Sequence, residues 1–77
     1  MSDVVVLRRF SVHGRHEERH HAKLVMEHSF EAAAVAYLEN AHASGEPEIS
    51  VIVLDVESGH QHCFRIDVET GETTPCG

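Results

Sequence analysis

The chain has 77 residues, of which 42% are hydrophobic, and it carries a formal net charge of −7 at pH 7 with the histidines neutral. A chain of this length forms one small domain, which we place over residues 1–77, and its small core leaves little room for a catalytic cleft between lobes. The sequence contains no run of about 18 apolar residues, which excludes a membrane-spanning helix.

The charge is divided unevenly along the chain. Residues 1–28 hold five basic and four acidic residues, a net charge of +1, whereas residues 29–77 hold Arg65 and nine acidic residues, a net charge of −8, which together make −7. An acidic chain does not condense onto phosphate backbones by charge alone, so we do not expect a nucleic-acid partner, in spite of a basic strip at Arg8, Arg9 and Arg15. The polarity favours self-association, with the basic end of one copy against the acidic face of another.

Two strands are predicted in the first 27 residues, separated by a polar loop over residues 13–19. Residues 3–12 are rich in β-branched side chains. Counting by twos places four apolar residues on one face of that strand: Val4, Val6, Phe10 and Val12. Residues 20–27 predict a second strand, with Ala22, Leu24 and Met26 inward and Val25 outward; the alternative is an extension of the helix that follows.

A helix is predicted over residues 30–43. Ser29 is a favourable N-cap, Glu31 lies in the first turn, and alanines dominate the segment. Gly45 and Pro47 end it. One face of the helix forms an apolar stripe suited to packing against a sheet: Phe30, Ala33, Ala34, Tyr37, Leu38 and Ala41.

The last third of the chain predicts hairpins. Residues 48–56 are apolar on both faces, which is typical of a central strand or of one whose outer face meets a partner. Residues 61–68 alternate between apolar and polar. The pentapeptide at 55–59 recurs twelve residues later at 67–71, and each copy supplies a glycine where a hairpin loop needs a positive φ. The second copy implies a short return strand over 72–74, ended at the sheet edge by Pro75.

These elements predict an α+β fold of order β-β-α-β-β, with a short additional strand, in which one helix covers one face of a mostly antiparallel sheet. A single helix leaves the other face uncovered, where Ile52, Leu54 and Val56 would form an apolar patch. A homodimer would bury that patch, since a two-fold contact needs only one such surface.

His16 to His20 read H-E-x-x-H, the signature of zinc metalloproteases. That chemistry needs both histidines on one face of a packed helix, a third ligand and a substrate cleft. Residues 15–21 offer no apolar stripe to seat a helix, and Lys23 and Met26 occupy the positions of the glycine and third histidine of the longer motif. We therefore interpret the string as a solvated loop and predict no enzymatic activity, with a small enzyme of unknown type as the third alternative for the function.

Metal binding is the alternative function, because the chain holds eight histidines and imidazole suits zinc and nickel. Four of them lie within nine residues, although ordering their loop would weaken a site: His13, His16, His20 and His21. A second candidate set combines histidines with both cysteines: His60, His62, Cys63 and Cys76. No other cofactor is predicted.

The cysteines and the N-terminal segment bear on the compartment. Counting pairs across the second predicted hairpin places Cys63 close to Cys76, where they would be thiols in a reducing compartment or would form a disulfide under oxidation. The opening segment has no basic stretch followed by a long apolar run, so we predict no signal peptide and a cytoplasmic location.

The segments SFEAAAVAYLENA and HCFRIDVETGETTPC resemble small bacterial proteins classed as a domain of unknown function. The likeness runs from about Lys23 onward. It implies an uncharacterised bacterial, cytoplasmic protein and carries no catalytic or binding residues. We predict a non-enzymatic binding or regulatory domain that acts through a sheet face or edge as a homodimer.

Overall fold

A computed structural model describes residues 6–15, 22–40 and 47–76 of the chain, which form one sheet and one helix. The elements in chain order are β1 (Arg8–Gly14), β2 (Lys23–Glu27), α1 (Phe30–Asn40), β3 (Glu48–Asp55), β4 (Gln61–Asp67) and β5 (Thr73–Pro75). The five strands lie in the order β2-β1-β3-β4-β5, and each neighbouring pair is antiparallel. The predicted α+β fold is confirmed, and the segment before the helix is a strand and not a helical extension.

β3 occupies the centre of the sheet, as its apolar character on both faces predicts. Val51 and Val53 are fully buried on the face beneath α1, whereas Ile52 and Leu54 are half-buried on the other face. The strands on either side of β3 shield part of its outer-face side chains, and this partial burial agrees with a nearly continuous apolar run in place of a simple alternation.

α1 begins where the sequence predicts. The Ser29 hydroxyl oxygen accepts a hydrogen bond from the Ala32 N–H at 3.1 Å, which satisfies one of the free donors of the first turn. The predicted stripe faces the sheet, with Ala33, Ala34 and Tyr37 buried and Phe30 and Leu38 partly buried against the core. The predicted end of the helix, including Ala41, lies outside the described residues.

The repeated pentapeptide forms two equivalent hairpin turns. Gly59 and Gly71 have φ angles of +80° and +76°, and the N–H of each donates to the carbonyl of the aspartate four residues earlier at 2.8 Å. The Oδ1 atoms of Asp55 and Asp67 accept N–H groups two and three residues later. The prediction that each copy supplies a left-handed glycine at a hairpin is confirmed, because only glycine adopts that φ without steric cost.

The facing of β2 differs from the prediction. β1 and β2 pair with Phe10 opposite Val25, and opposite residues of an antiparallel pair share a face, so Val25 packs against the core. Leu24 and Met26 consequently lie on the outer face, 62% and 50% exposed. All three side chains are apolar, so their alternation alone did not reveal which set would be buried.

The N-terminal end of β1 is also shorter than predicted. Sheet pairing starts at Arg8, so Val6 precedes the paired region and is 67% exposed instead of inward-facing. Val4 lies outside the described residues. At the other end of the sheet, Pro75 pairs with Phe64 as the last residue of β5, and so it lies within the edge strand that it was expected to end.

Candidate interaction surface

The sheet face away from α1 carries a band of apolar side chains. Leu24 on β2 and Leu54 on β3 both lie opposite Ser11 of β1, so the three form one row across the sheet. In the next row, Ile52 lies between His13 and Cys63. Ile52 and Leu54 of the predicted patch are half-buried on this face, and Val56, just beyond β3, is 44% exposed beside Arg9. The more exposed Leu24 and Met26 extend the band toward one edge.

The two edges of the sheet differ in how they are protected. β5 is three residues long and contains Pro75, both of which discourage pairing with another chain. β2 is five residues long, contains no proline and borders only β1 in the part of the chain that the structure describes. The more accessible edge therefore coincides with the exposed end of the apolar band.

Cys63 and Cys76 form a disulfide on the outer face, with a Cα–Cα separation of 5.3 Å. The Cys76 N–H donates to the Cys63 carbonyl at 3.0 Å, so the chain continues alongside β4 beyond Pro75. The predicted proximity of the two residues is confirmed, and of the two states that the sequence allows, the structure holds the disulfide. Bonded sulfurs are not available as thiolate ligands.

An ion pair lies at the opposite corner of the sheet. Asp55 is 1% exposed at the end of β3, and its Oδ2 atom lies 2.6 Å from Nη2 of Arg8 in an ion-pair contact that lacks the alignment of a hydrogen bond. Burial raises the pKa of Asp55, but N–H donors from Glu57 and Ser58, the Ser58 hydroxyl and the charge of Arg8 outweigh burial. The net effect is a pKa below the ordinary value of 3.8.

This pKa predicts a pH dependence of stability. A carboxyl group whose folded pKa is lowered contributes stability fully above its unfolded pKa, and that contribution disappears as the pH falls through the folded pKa. We expect urea unfolding between pH 6 and about pH 3 to show a smaller acid-induced loss of stability for Asp55→Asn than for the wild type. Asp67→Asn is the matched control, because Asp67 makes the same turn contacts but is exposed. Equal pH profiles for wild type and Asp55→Asn would contradict the assignment.

An open groove of about 450 Å³ lies beside the start of α1. The ring of His62 meets Phe30 edge-on, with the centroids 4.3 Å apart, and Phe64 follows at 6.2 Å from His62. Ser29 and Glu31 complete the lining. The rings of Phe30, His62 and Phe64 cover one end of the core. The His62 imidazole is exposed to solvent, and the groove beside it is shallow and open.

A family model described as a family of unknown function, DUF5961, matches residues 8–77. The chain belongs to the DUF5961 family. The match confirms the resemblance drawn from the helix start and the last hairpin, and it extends that resemblance back to the first residue of β1. No curated protein and no solved structure matches the chain.

In this DUF5961 protein the first predicted metal set is only partly described. His13 lies within β1, nearly buried on the outer face opposite Ile52, and so it is part of the sheet and not of the loop. The other three histidines of that set lie outside the described residues: His16, His20 and His21. Zinc or nickel binding by this segment therefore remains a prediction.

The second predicted metal set is not brought together. His62 contacts Phe30 on the helix side of β4, whereas Cys63 follows it in the strand and faces the other side, where it bonds to Cys76. His60 lies between the first turn and β4. Among residues 6–15, 22–40 and 47–76, no three potential ligands form a group that could hold a metal ion.

Two features of the DUF5961 chain were missed by the sequence reasoning. The exposed Leu24 and Met26 were placed in the core, and Arg8 and Arg9 were treated as a free basic strip. Arg8 pairs with Asp55, and Nη2 of Arg9 lies 3.9 Å from Glu57, so both charges are balanced within the chain.

Among the residues that the structure describes, no helix is long and apolar enough to cross a membrane.

Proposed function

We propose that this DUF5961 protein is a non-enzymatic binding module that associates with a second copy of itself through the uncovered side of the sheet around β2. The observation that carries the proposal is the exposure of Leu24 and Met26 on β2, which no second strand covers in the described part of the chain. Two large apolar side chains next to each other on an edge strand favour burial against a partner.

The energetics favour a weak dimer. Each Å² of apolar surface removed from water contributes about 25 cal/mol, and association must offset the loss of rotational and translational freedom. Leu24 and Met26 of both copies supply an apolar centre, and a two-fold contact uses each of them twice. An interface of this kind belongs to the small, concentration-dependent class.

The proposal is tested by sedimentation velocity of the purified chain over a range of concentrations. We expect a monomer–dimer equilibrium in which the dimer predominates at about 100 μM. This corresponds to a free energy of association of roughly −5 to −6 kcal/mol or more favourable. Leu24→Ser and Met26→Ser should each shift the equilibrium toward monomer, because they remove apolar contact area.

Val68→Ser is the matched control, since Val68 is the equivalent residue of the second turn and follows β4, on the side of the sheet away from β2. It should leave the dimer unchanged. A wild-type chain that stays monomeric at about 1 mM, where even a dimer of roughly −4 kcal/mol is half-formed, would contradict the proposal.

A further inference from the structure

We infer that two copies join edge to edge through antiparallel pairing of β2 with its symmetry mate, with Val25 on the two-fold axis, so that the two five-stranded sheets form one continuous sheet. The inference rests on the proposed self-association and specifies its geometry. It follows from the direction of the backbone groups of β2 and from the order of its side chains.

The hydrogen bonds between β1 and β3 establish which way the β1 backbone faces. The Arg9 carbonyl accepts the Val56 N–H at 3.1 Å, and the Arg15 N–H donates to the Ser50 carbonyl at 2.9 Å. The odd-numbered residues of β1 therefore direct their backbone polar groups toward β3. Because successive strand residues direct these groups to opposite sides, the even-numbered residues bond to β2.

The register transfers this direction to β2. The β2 residues opposite the even-numbered residues of β1 are Lys23, Val25 and Glu27. The backbone N–H and C=O groups of these three residues therefore bond to β1. Leu24 and Met26 then direct both N–H and C=O away from the sheet, toward the free edge. An antiparallel partner strand forms hydrogen bonds only with these outward-facing residues.

A second copy of β2 satisfies that requirement when Val25 lies opposite Val25 of the partner copy. Leu24 of each copy then pairs with Met26 of the other, and the two exchange both backbone hydrogen bonds. The side chains of these pairs lie together on the outer face, where each covers part of the exposed apolar surface of the other.

The charges of β2 are complementary in the same register. Lys23 lies opposite Glu27 of the other copy at both ends of the strand, on the face that bears α1. Opposite charges directly across an antiparallel pair stabilise it, and like charges destabilise it. Shifting the register by two residues keeps the backbone bonding pattern but shortens the pairing and removes both charge pairs, so the arrangement centred on Val25 is favoured.

Charge exchange tests this register directly by sedimentation and native mass spectrometry. Lys23→Glu places acidic side chains opposite each other and should weaken the homodimer about tenfold, as should Glu27→Lys with basic side chains. A mixture of the two variants restores two opposite-charge pairs and should form heterodimer in preference to either homodimer. Arg65→Glu is the control for Lys23→Glu, because Arg65 is an exposed residue of β4 and the substitution makes the same change in charge. Glu69→Lys is the control for Glu27→Lys, because Glu69 is exposed in the second turn.

Glu27 also lies opposite Arg8 within its own chain, so Glu27→Lys is followed by thermal unfolding to establish that it folds. Leu24→Pro provides an independent variant, because it removes an N–H that faces the free edge and leaves the inward bonds to β1 in place. It should fold and be monomeric.

The outcomes separate the register from self-association itself. A wild-type dimer that resists Lys23→Glu and that Leu24→Pro weakens no more than Leu24→Ser does, together with random mixing of the charge variants, would overturn edge pairing while leaving the proposed dimer standing. A monomeric wild type would overturn both. Preferential heterodimer formation by the two charge variants, with wild-type behaviour of both controls, supports the register.

Discussion

Replacement of Phe10 with alanine is expected to lower the free energy of unfolding by about 3–5 kcal/mol. Phe10 is fully buried in β1, and its ring centroid lies 5.0 Å from that of Phe30 in α1, so it joins the sheet to the helix. Truncation removes apolar contact and leaves a cavity between two elements that cannot close together. Small domains have roughly 5–15 kcal/mol of total stability, so the variant will lie close to its unfolding threshold.

Urea unfolding followed by circular dichroism measures this effect. Phe10→Leu should recover a large part of the loss, because it retains apolar volume at the site. Val56→Ala is the control at an exposed position and should change stability by no more than about 0.5 kcal/mol. A loss below about 1 kcal/mol for Phe10→Ala would show that the core does not depend on this contact.

Removal of the disulfide by the paired substitutions Cys63→Ser and Cys76→Ser is the second large effect. The two cysteines are 13 residues apart and close a loop that includes the second turn and β5. In the chain-entropy account, a cross-link of a loop of about 15 residues stabilises the folded state by about 3 kcal/mol. We expect the double variant to be less stable by roughly this amount.

Reduction gives an internal control for this prediction. Dithiothreitol should lower the unfolding midpoint of the wild type to that of the double serine variant and should leave the variant unchanged. Thiol titration of the protein, purified without reductant and denatured, should find no reactive cysteine. Two titratable thiols per chain in that sample, or equal stability of wild type and variant, would contradict the prediction.

Local signals in the sequence predicted a large part of the fold. The Ser29 cap, the alanine-rich stripe of α1 and the glycines of the two turns each act within a few residues, so their effect is the same in almost any tertiary setting. The order of elements and the central position of β3 followed from the same local patterns. The disulfide was foreseen as an alternative because a hairpin relates residues by simple counting.

The candidate surface was less predictable. Its position depends on which face of β2 meets the core, and the sequence KLVME offers apolar residues to both faces. The pairing of Phe10 with Val25 decides this, and that register is set by contacts between separate strands. For the same reason, the sequence did not reveal that the charges of Arg8 and Arg9 are balanced by acidic side chains of the β3 end and the turn after it.

The sequence by itself determined the α+β class, the turns, the helix and the family of unknown function, because each rests on short-range periodicity or on residue order. The tertiary structure alone decided that Leu24 and Met26 face outward on β2, an edge strand among the described residues, and that Lys23 and Glu27 lie on the opposite face of that strand. A shift of one residue in strand register exchanges the two faces of a strand, and only packing against the rest of the sheet selects one of them.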